Sequence, residues 1–84
     1  MEVYYTPGFI RTYKKIPHKI QKKFIDVEQI FRKTPHASAL RTHPLQGKLK
    51  GYYAFSVTFS YRVLFTFEPD GVTFIDIGTH GIYT

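Results

Sequence analysis

The chain has 84 residues, 43% hydrophobic and 18% aromatic, with no Cys, no Trp and a formal net charge of +6. One domain spanning 1–84 suits that length, and its seven Tyr and eight Phe, each able to bury ~150–250 Å², give a small core enough apolar surface. The composition excludes a disordered chain, a disulfide framework, thiol catalysis and a Cys-type zinc site, and no apolar run approaches the ~18 residues of a membrane span. A small soluble domain of the cytoplasm, with no membrane partner and no signal segment at its N-terminus, is the expectation.

In chain order, Val3-Tyr4-Tyr5 is short, apolar and β-prone, which predicts a first strand. Thr6-Pro7 then reads as an N-cap followed by Pro at the first helical position. Phe9, Tyr13 and Ile16 form one apolar stripe on a short helix, with Arg11, Lys14 and Lys15 off it. Pro17 closes that helix and opens the next. Ile20, Phe24, Val27 and Phe31, spaced 4, 3 and 4 apart, predict an amphipathic helix that stops near Lys33, because Pro35 disfavours α geometry at Thr34. Two helices meeting at Pro17 make an antiparallel hairpin.

From Pro35 to Gly51 the sequence is polar and punctuated by Pro35, Pro44, Gly47 and Gly51, a connection long enough to suggest a functional loop. After Gly51 the period changes to two. Tyr53, Phe55, Val57 and Phe59 alternate with Tyr52, Ala54, Ser56 and Thr58, and Tyr61, Val63, Phe65 and Phe67 with Arg62, Leu64 and Thr66. Phe59-Ser60 makes a tight connection. Pro69-Asp70-Gly71 reads as a turn in which Gly supplies a positive φ, and Val72 to Ile77 is the last strand, ending at Gly78. The order β-α-α-β-β-β predicts an α+β, two-layer fold: a helical hairpin on one face of a small, mainly antiparallel sheet whose second face stays open. By parity, Val63, Phe65, Ile75 and Ile77 face the helices, while Arg62, Asp76, Gly78 and, if the strand persists, His80 face the open side.

Charge is distributed unevenly along this order. Residues 11–50 hold eleven of the twelve Lys and Arg against only Asp26 and Glu28, a local charge of +9, whereas residues 51–84 carry Arg62 against Glu68, Asp70 and Asp76, a charge of −2. A basic half joined to an aromatic, nearly neutral half suggests a polyanion, most commonly nucleic acid. An Arg and a His on one sheet face beside a basic loop can handle phosphate.

The segments His43-Pro44-Leu45-Gln46-Gly47-Lys48-Leu49-Lys50-Gly51-Tyr52-Tyr53, Tyr61-Arg62-Val63-Leu64-Phe65 and Ile77-Gly78-Thr79-His80 resemble, in order and spacing, the RelE/ParE toxin superfamily. The similarity is closest to its RelE-like branch, with the YafQ and YoeB types. The resemblance implies a toxin of a type II toxin–antitoxin system that cuts translated mRNA on the ribosome as an endoribonuclease, needing no cofactor and no metal. It implies a cognate antitoxin, acidic and encoded in the same operon, with operator DNA reached only through that antitoxin. Two alternatives stay open: the ParE branch, which poisons DNA gyrase without cutting RNA, and an inactive relative that only binds its antitoxin.

Carried over by motif, Arg62 matches the Arg that binds the scissile phosphate. His80 matches the position used as general acid or for charge stabilisation, and His43 a loop position, Glu or His in the YoeB and YafQ types, that assists the 2′-hydroxyl. Tyr83 lies near the C-terminal aromatic of the family. This chain departs from the pattern in its second strand, with Tyr53, Phe55 and Ser56 where active members often carry Lys, Arg or His. The residue types suit the chemistry, because metal-free RNA cleavage needs a base, cations on the phosphate oxygens and an acid. Arg is permanently charged and forked, and His titrates near neutral pH. Arg41, Lys48 and Lys50 are candidates for holding RNA backbone, the last two sharing strand-like parity. Tyr52 and Tyr53 are candidates for stacking on a base, with one of them in the core; Tyr53 and Tyr83 are the aromatic RNA contacts expected. His18 and His36 are read as bystanders at helix ends, and the four His lack the spacing of a zinc site.

Overall fold

A computed structural model describes residues 1–83. Its elements are β1 (Glu2–Tyr5), α1 (Pro7–Lys15), α2 (His18–Lys33), β2 (His43–Pro44), β3 (Tyr53–Ser56), β4 (Arg62–Glu68) and β5 (Gly71–Gly78), with 3-10 turns at Ser38–Leu40, Gly47–Leu49 and His80–Tyr83. The helix boundaries follow local chemistry. Thr6 Oγ1 accepts the Phe9 N–H at 3.0 Å, capping α1, and donates to the Ile75 carbonyl at 3.0 Å, so the cap also ties the helix to β5. Pro17 separates the two helices, and α2 ends at Lys33 with Thr34 extended ahead of Pro35.

Five strands in the order β1-β5-β4-β3-β2 form one sheet, with β1 parallel to β5 and the remaining neighbours antiparallel. The helical hairpin covers one face, as the α+β, two-layer reading expects. Phe31 of α2 is fully buried at the centre of the contact, its ring 4.5, 5.1 and 5.6 Å from those of Phe55, Phe65 and Phe74. Phe9 and Phe24 pack on Phe74 at 5.6 and 6.0 Å. Burying this many rings is the main source of stability in so short a chain.

The structure corrects the sequence reading of the fold in five places. First, the polar connection supplies a strand: His43 and Pro44 pair with Ala54 and Tyr53 at the sheet edge, where the missing Pro N–H costs no ladder bond, and Leu40 enters the core. Second, β3 ends at Ser56; Val57 to Tyr61 form the hairpin turn and Phe59 is exposed, not on the core-facing stripe. Third, a bulge in β5 sets Leu64 opposite Asp76 and Phe65 opposite Phe74, so the unpaired Ile75 is not inward and Phe74 joins Ile77 on the core face. One inserted residue reverses parity, which alternation alone does not reveal. Fourth, Gly71 has no positive φ. It is required because β1 passes so close that a Cβ would lie 1.9 Å from the Glu2 carbonyl oxygen. Fifth, the second sheet face is partly closed, since Ala54 and Leu64 are buried outside the main core and Ile82 packs against Gly78.

Candidate active site

Arg62 is the first residue of β4 and pairs with Gly78, the last of β5, at one end of the sheet. Its Nη1 donates to the carbonyls of Thr58 at 3.2 Å and Phe59 at 2.8 Å. One guanidinium nitrogen therefore locks the head group to the hairpin turn, and a planar, permanently charged fork suits a phosphate. Arg62 lines a cleft of about 350 Å³ between α2, the Ala39–Arg41 segment and the β3–β4 hairpin. Lys23 and Arg41 share this lining, Val27, Ile30 and Leu40 give it apolar walls, and among the described residues no carboxylate lies in it. Three cations without a counter-charge on a partly apolar surface favour an anionic ligand.

Arg41 reaches the cleft because it closes the Ser38–Leu40 turn in the left-handed conformation, φ 53°, with its N–H on the Ser38 carbonyl. That carbonyl geometry extends to His43, whose Nδ1 lies 2.8 Å from the Arg41 oxygen. A carbonyl only accepts, so Nδ1 carries a hydrogen and the Nε2 of the neutral ring keeps its lone pair, as a general base requires. His43 is exposed on β2 and does not line the cleft.

On the other side of Arg62 stands Tyr83, whose hydroxyl is buried against the Arg62 side chain without a well-formed hydrogen bond among the described residues. Burial raises its pKa above the usual phenol value, and Arg62 opposes that shift through its charge and through its approach to the hydroxyl. His80 sits edge-on to Tyr83, ring centres 5.8 Å apart and planes at 77°. The fold thus strings His80, Tyr83 and Arg62 together at the end of β5, and places Arg41 with Arg62 in the cleft.

Other candidates fall elsewhere. Lys48 and Lys50 are exposed, but they belong to the Gly47–Leu49 turn and its cap, not to a strand with shared parity. Tyr53 packs on the core side against Phe65 and Phe67, at 5.7 and 4.8 Å, which leaves Tyr52 as the outward ring. His36 stacks on Phe67 at 5.9 Å. Sequence reasoning missed Lys23, which looked like one more solvated helix cation, and Phe59, which looked like a strand residue. The Thr58 and Ser60 flanking Phe59 were the available signal for a turn. Among the described residues no cluster of His, Asp or Glu could hold a metal ion, and no helix is long and apolar enough to cross a membrane.

Comparison with known proteins places this geometry in context. The family model of the ParE toxin of type II toxin–antitoxin systems, parDE, matches residues 3–82. Among solved structures the chain is similar to the YoeB/ParE toxin from Agrobacterium tumefaciens, with 21% identity over 95% of this chain and 99% of that one and a TM-score of 0.78. It is similar to YafQ from E. coli, with 19% identity over 98% and 96% and a TM-score of 0.80. The toxin–antitoxin complex RelBE2 from Mycobacterium tuberculosis matches with 21% identity over 93% and 95% and a TM-score of 0.75. No curated protein matches the sequence. At these identities the structural likenesses show the fold.

Proposed function

The chain belongs to the ParE toxin family of type II toxin–antitoxin systems, within the RelE/ParE superfamily, and from the chemistry of its site we propose that it is an endoribonuclease toxin acting on translated mRNA. The observation that carries this reading is Arg62: a guanidinium fixed by one nitrogen to the Thr58 and Phe59 carbonyls, in a cationic cleft with no carboxylate among the described residues that line it. Such a group is ready for a phosphate before the substrate arrives, and preorganised charge is the largest single contribution in most catalysis of this kind. In the reaction the 2′-oxygen bonds to phosphorus while the bond from phosphorus to the 5′-oxygen breaks. His43 Nε2 takes the 2′-hydroxyl proton, Arg62 neutralises the non-bridging oxygens, and His80 gives a proton to the departing 5′-oxygen. The products are a 2′,3′-cyclic phosphate and a 5′-hydroxyl. Arg41, Lys48 and Lys50 hold backbone phosphates, Tyr83 lies beside the reacting group, and Tyr53 supports the site from the core side.

The working partners in this reading are the ribosome with its message, in the cytoplasm, and an acidic antitoxin that masks the toxin and alone contacts operator DNA. The likeness to RelBE2, itself a toxin–antitoxin complex, supports the antitoxin. Two observations favour a second reading, a gyrase-directed toxin that cuts no RNA: the family model that matches is that of the ParE toxin, and β3, Tyr53–Ser56, carries no Lys, Arg or His. The test is Arg62→Ala, compared with the parent for cleavage of a translated message and for the cyclic phosphate end. Losing the phosphate contact removes roughly 2–4 kcal/mol of transition-state stabilisation, about 10²–10³ in rate. An Arg62→Ala protein that is folded by circular dichroism and cuts as fast as the parent would refute the assignment.

A further inference from the structure

Phe59 is 90% exposed, whereas the other exposed large hydrophobic side chains are between 36% and 53% exposed. Its position is not loose. The Val57 N–H bonds the Tyr61 carbonyl at 2.9 Å, and Thr58 Oγ1 accepts the N–H groups of Ser60 and Tyr61 at 3.3 and 3.1 Å. Arg62 Nη1 donates to the carbonyl of Phe59 itself. A turn pinned from both sides holds the ring out in water at little further entropic cost, which is how a preformed contact is built. Phe59 borders the cleft that Lys23, Arg41 and Arg62 line.

The shape of this feature selects its ligand. An apolar anchor on a peptide needs a hole to fill, and Phe59 offers instead a bare aromatic face beside three uncompensated cations. A nucleobase attached to phosphates fits that pairing, since stacking uses the face and the cations follow the backbone. We propose that Phe59 is a base-stacking platform for single-stranded RNA, with one nucleobase on its ring, the adjacent phosphate on Arg62, and the neighbouring backbone on Lys23 and Arg41. The proposal rests on the ribonuclease reading for its choice of RNA, but it concerns binding and needs no cleavage to be observed.

The chain has no Trp, so Phe59→Trp places a single indole reporter on the platform. The indole should be quenched on titration with a single-stranded oligoribonucleotide of about eight nucleotides, and left bright by inorganic polyphosphate, which offers charge without bases. By anisotropy of a labelled oligonucleotide at low salt, Phe59→Ala and Phe59→Leu should bind roughly tenfold to hundredfold more weakly than the parent, and Phe59→Trp within about threefold of it. Parent-like RNA affinity in Phe59→Ala, or equal quenching by polyphosphate, would overturn the proposal. So would loss of affinity for an acidic antitoxin with RNA affinity unchanged, which would assign the ring to a protein partner. The two readings fail separately: a parent that cuts no message but quenches with RNA loses only the nuclease reading. A parent that cuts message while Phe59→Ala binds RNA equally well loses only the platform.

Discussion

Tyr83 carries the sharpest test of the site's internal balance, because its hydroxyl is buried beside the Arg62 guanidinium with no well-formed hydrogen bond among the described residues. Removing an unsatisfied buried group is neutral or favourable, so Tyr83→Phe should leave stability unchanged or raise it by up to ~1 kcal/mol in urea unfolding. A clear loss would mean that Arg62 bonds the hydroxyl. Tyr5 gives a pH signature. Its phenol pKa is raised by burial and by its hydrogen bond to Glu28, with Arg32 pulling the other way. A raised folded-state pKa means the folded chain holds that proton longer than the unfolded chain. The stabilisation is therefore complete below the unfolded value near 10 and is lost as pH climbs through the higher folded value. The urea midpoint should fall above about pH 10 in the parent and less steeply in Tyr5→Phe. An equally steep fall in both proteins would show that Tyr5 is not the titrating group.

At the scale of elements, two small residues join the first strand and helix to the sheet. Thr6 bonds both the Phe9 N–H and the Ile75 carbonyl, so Thr6→Ala should cost about 1–2 kcal/mol and Thr6→Ser much less, measured by denaturant unfolding. Gly71 allows β1 to approach β5, and Gly71→Ala should lower stability by more than a typical surface change of about 0.5 kcal/mol, since backbone rather than a flexible side chain stands in the way. Stability equal to the parent would place β1 elsewhere. These elements also show how far the residues alone could be followed. Both helices and their ends were legible, because caps, prolines and a 3.6-residue period are local signals. The Val63 and Phe65 stripe was legible from simple alternation. The bulge at Ile75, the two-residue strand at His43 and the early end of β3 were not, since each depends on which backbone lies alongside. The candidate site divides in the same way. Arg62, His80 and His43 stood out by motif, while Lys23 and Phe59 became visible only once α2 and the hairpin turn bordered one cleft.

At the scale of the whole molecule, the +9 charge of residues 11–50 dominates encounter with any partner. For an acidic antitoxin, complementary charge chiefly speeds association, while buried apolar contacts set how long the complex lasts. The association rate should fall as salt rises from about 50 to about 500 mM, with a smaller change in dissociation, when followed by stopped flow. A salt-independent association rate would show that the basic half is not the surface the antitoxin meets. The same charge suits any polyanion, RNA or DNA alike, so attraction alone does not distinguish a nuclease from a toxin with another target. Primer extension along a translated message, after induction of the parent and of Arg62→Ala at equal expression, makes that distinction directly. Codon-periodic cuts in the parent that vanish in Arg62→Ala are the predicted result. An intact message accompanied by DNA breaks would contradict the account.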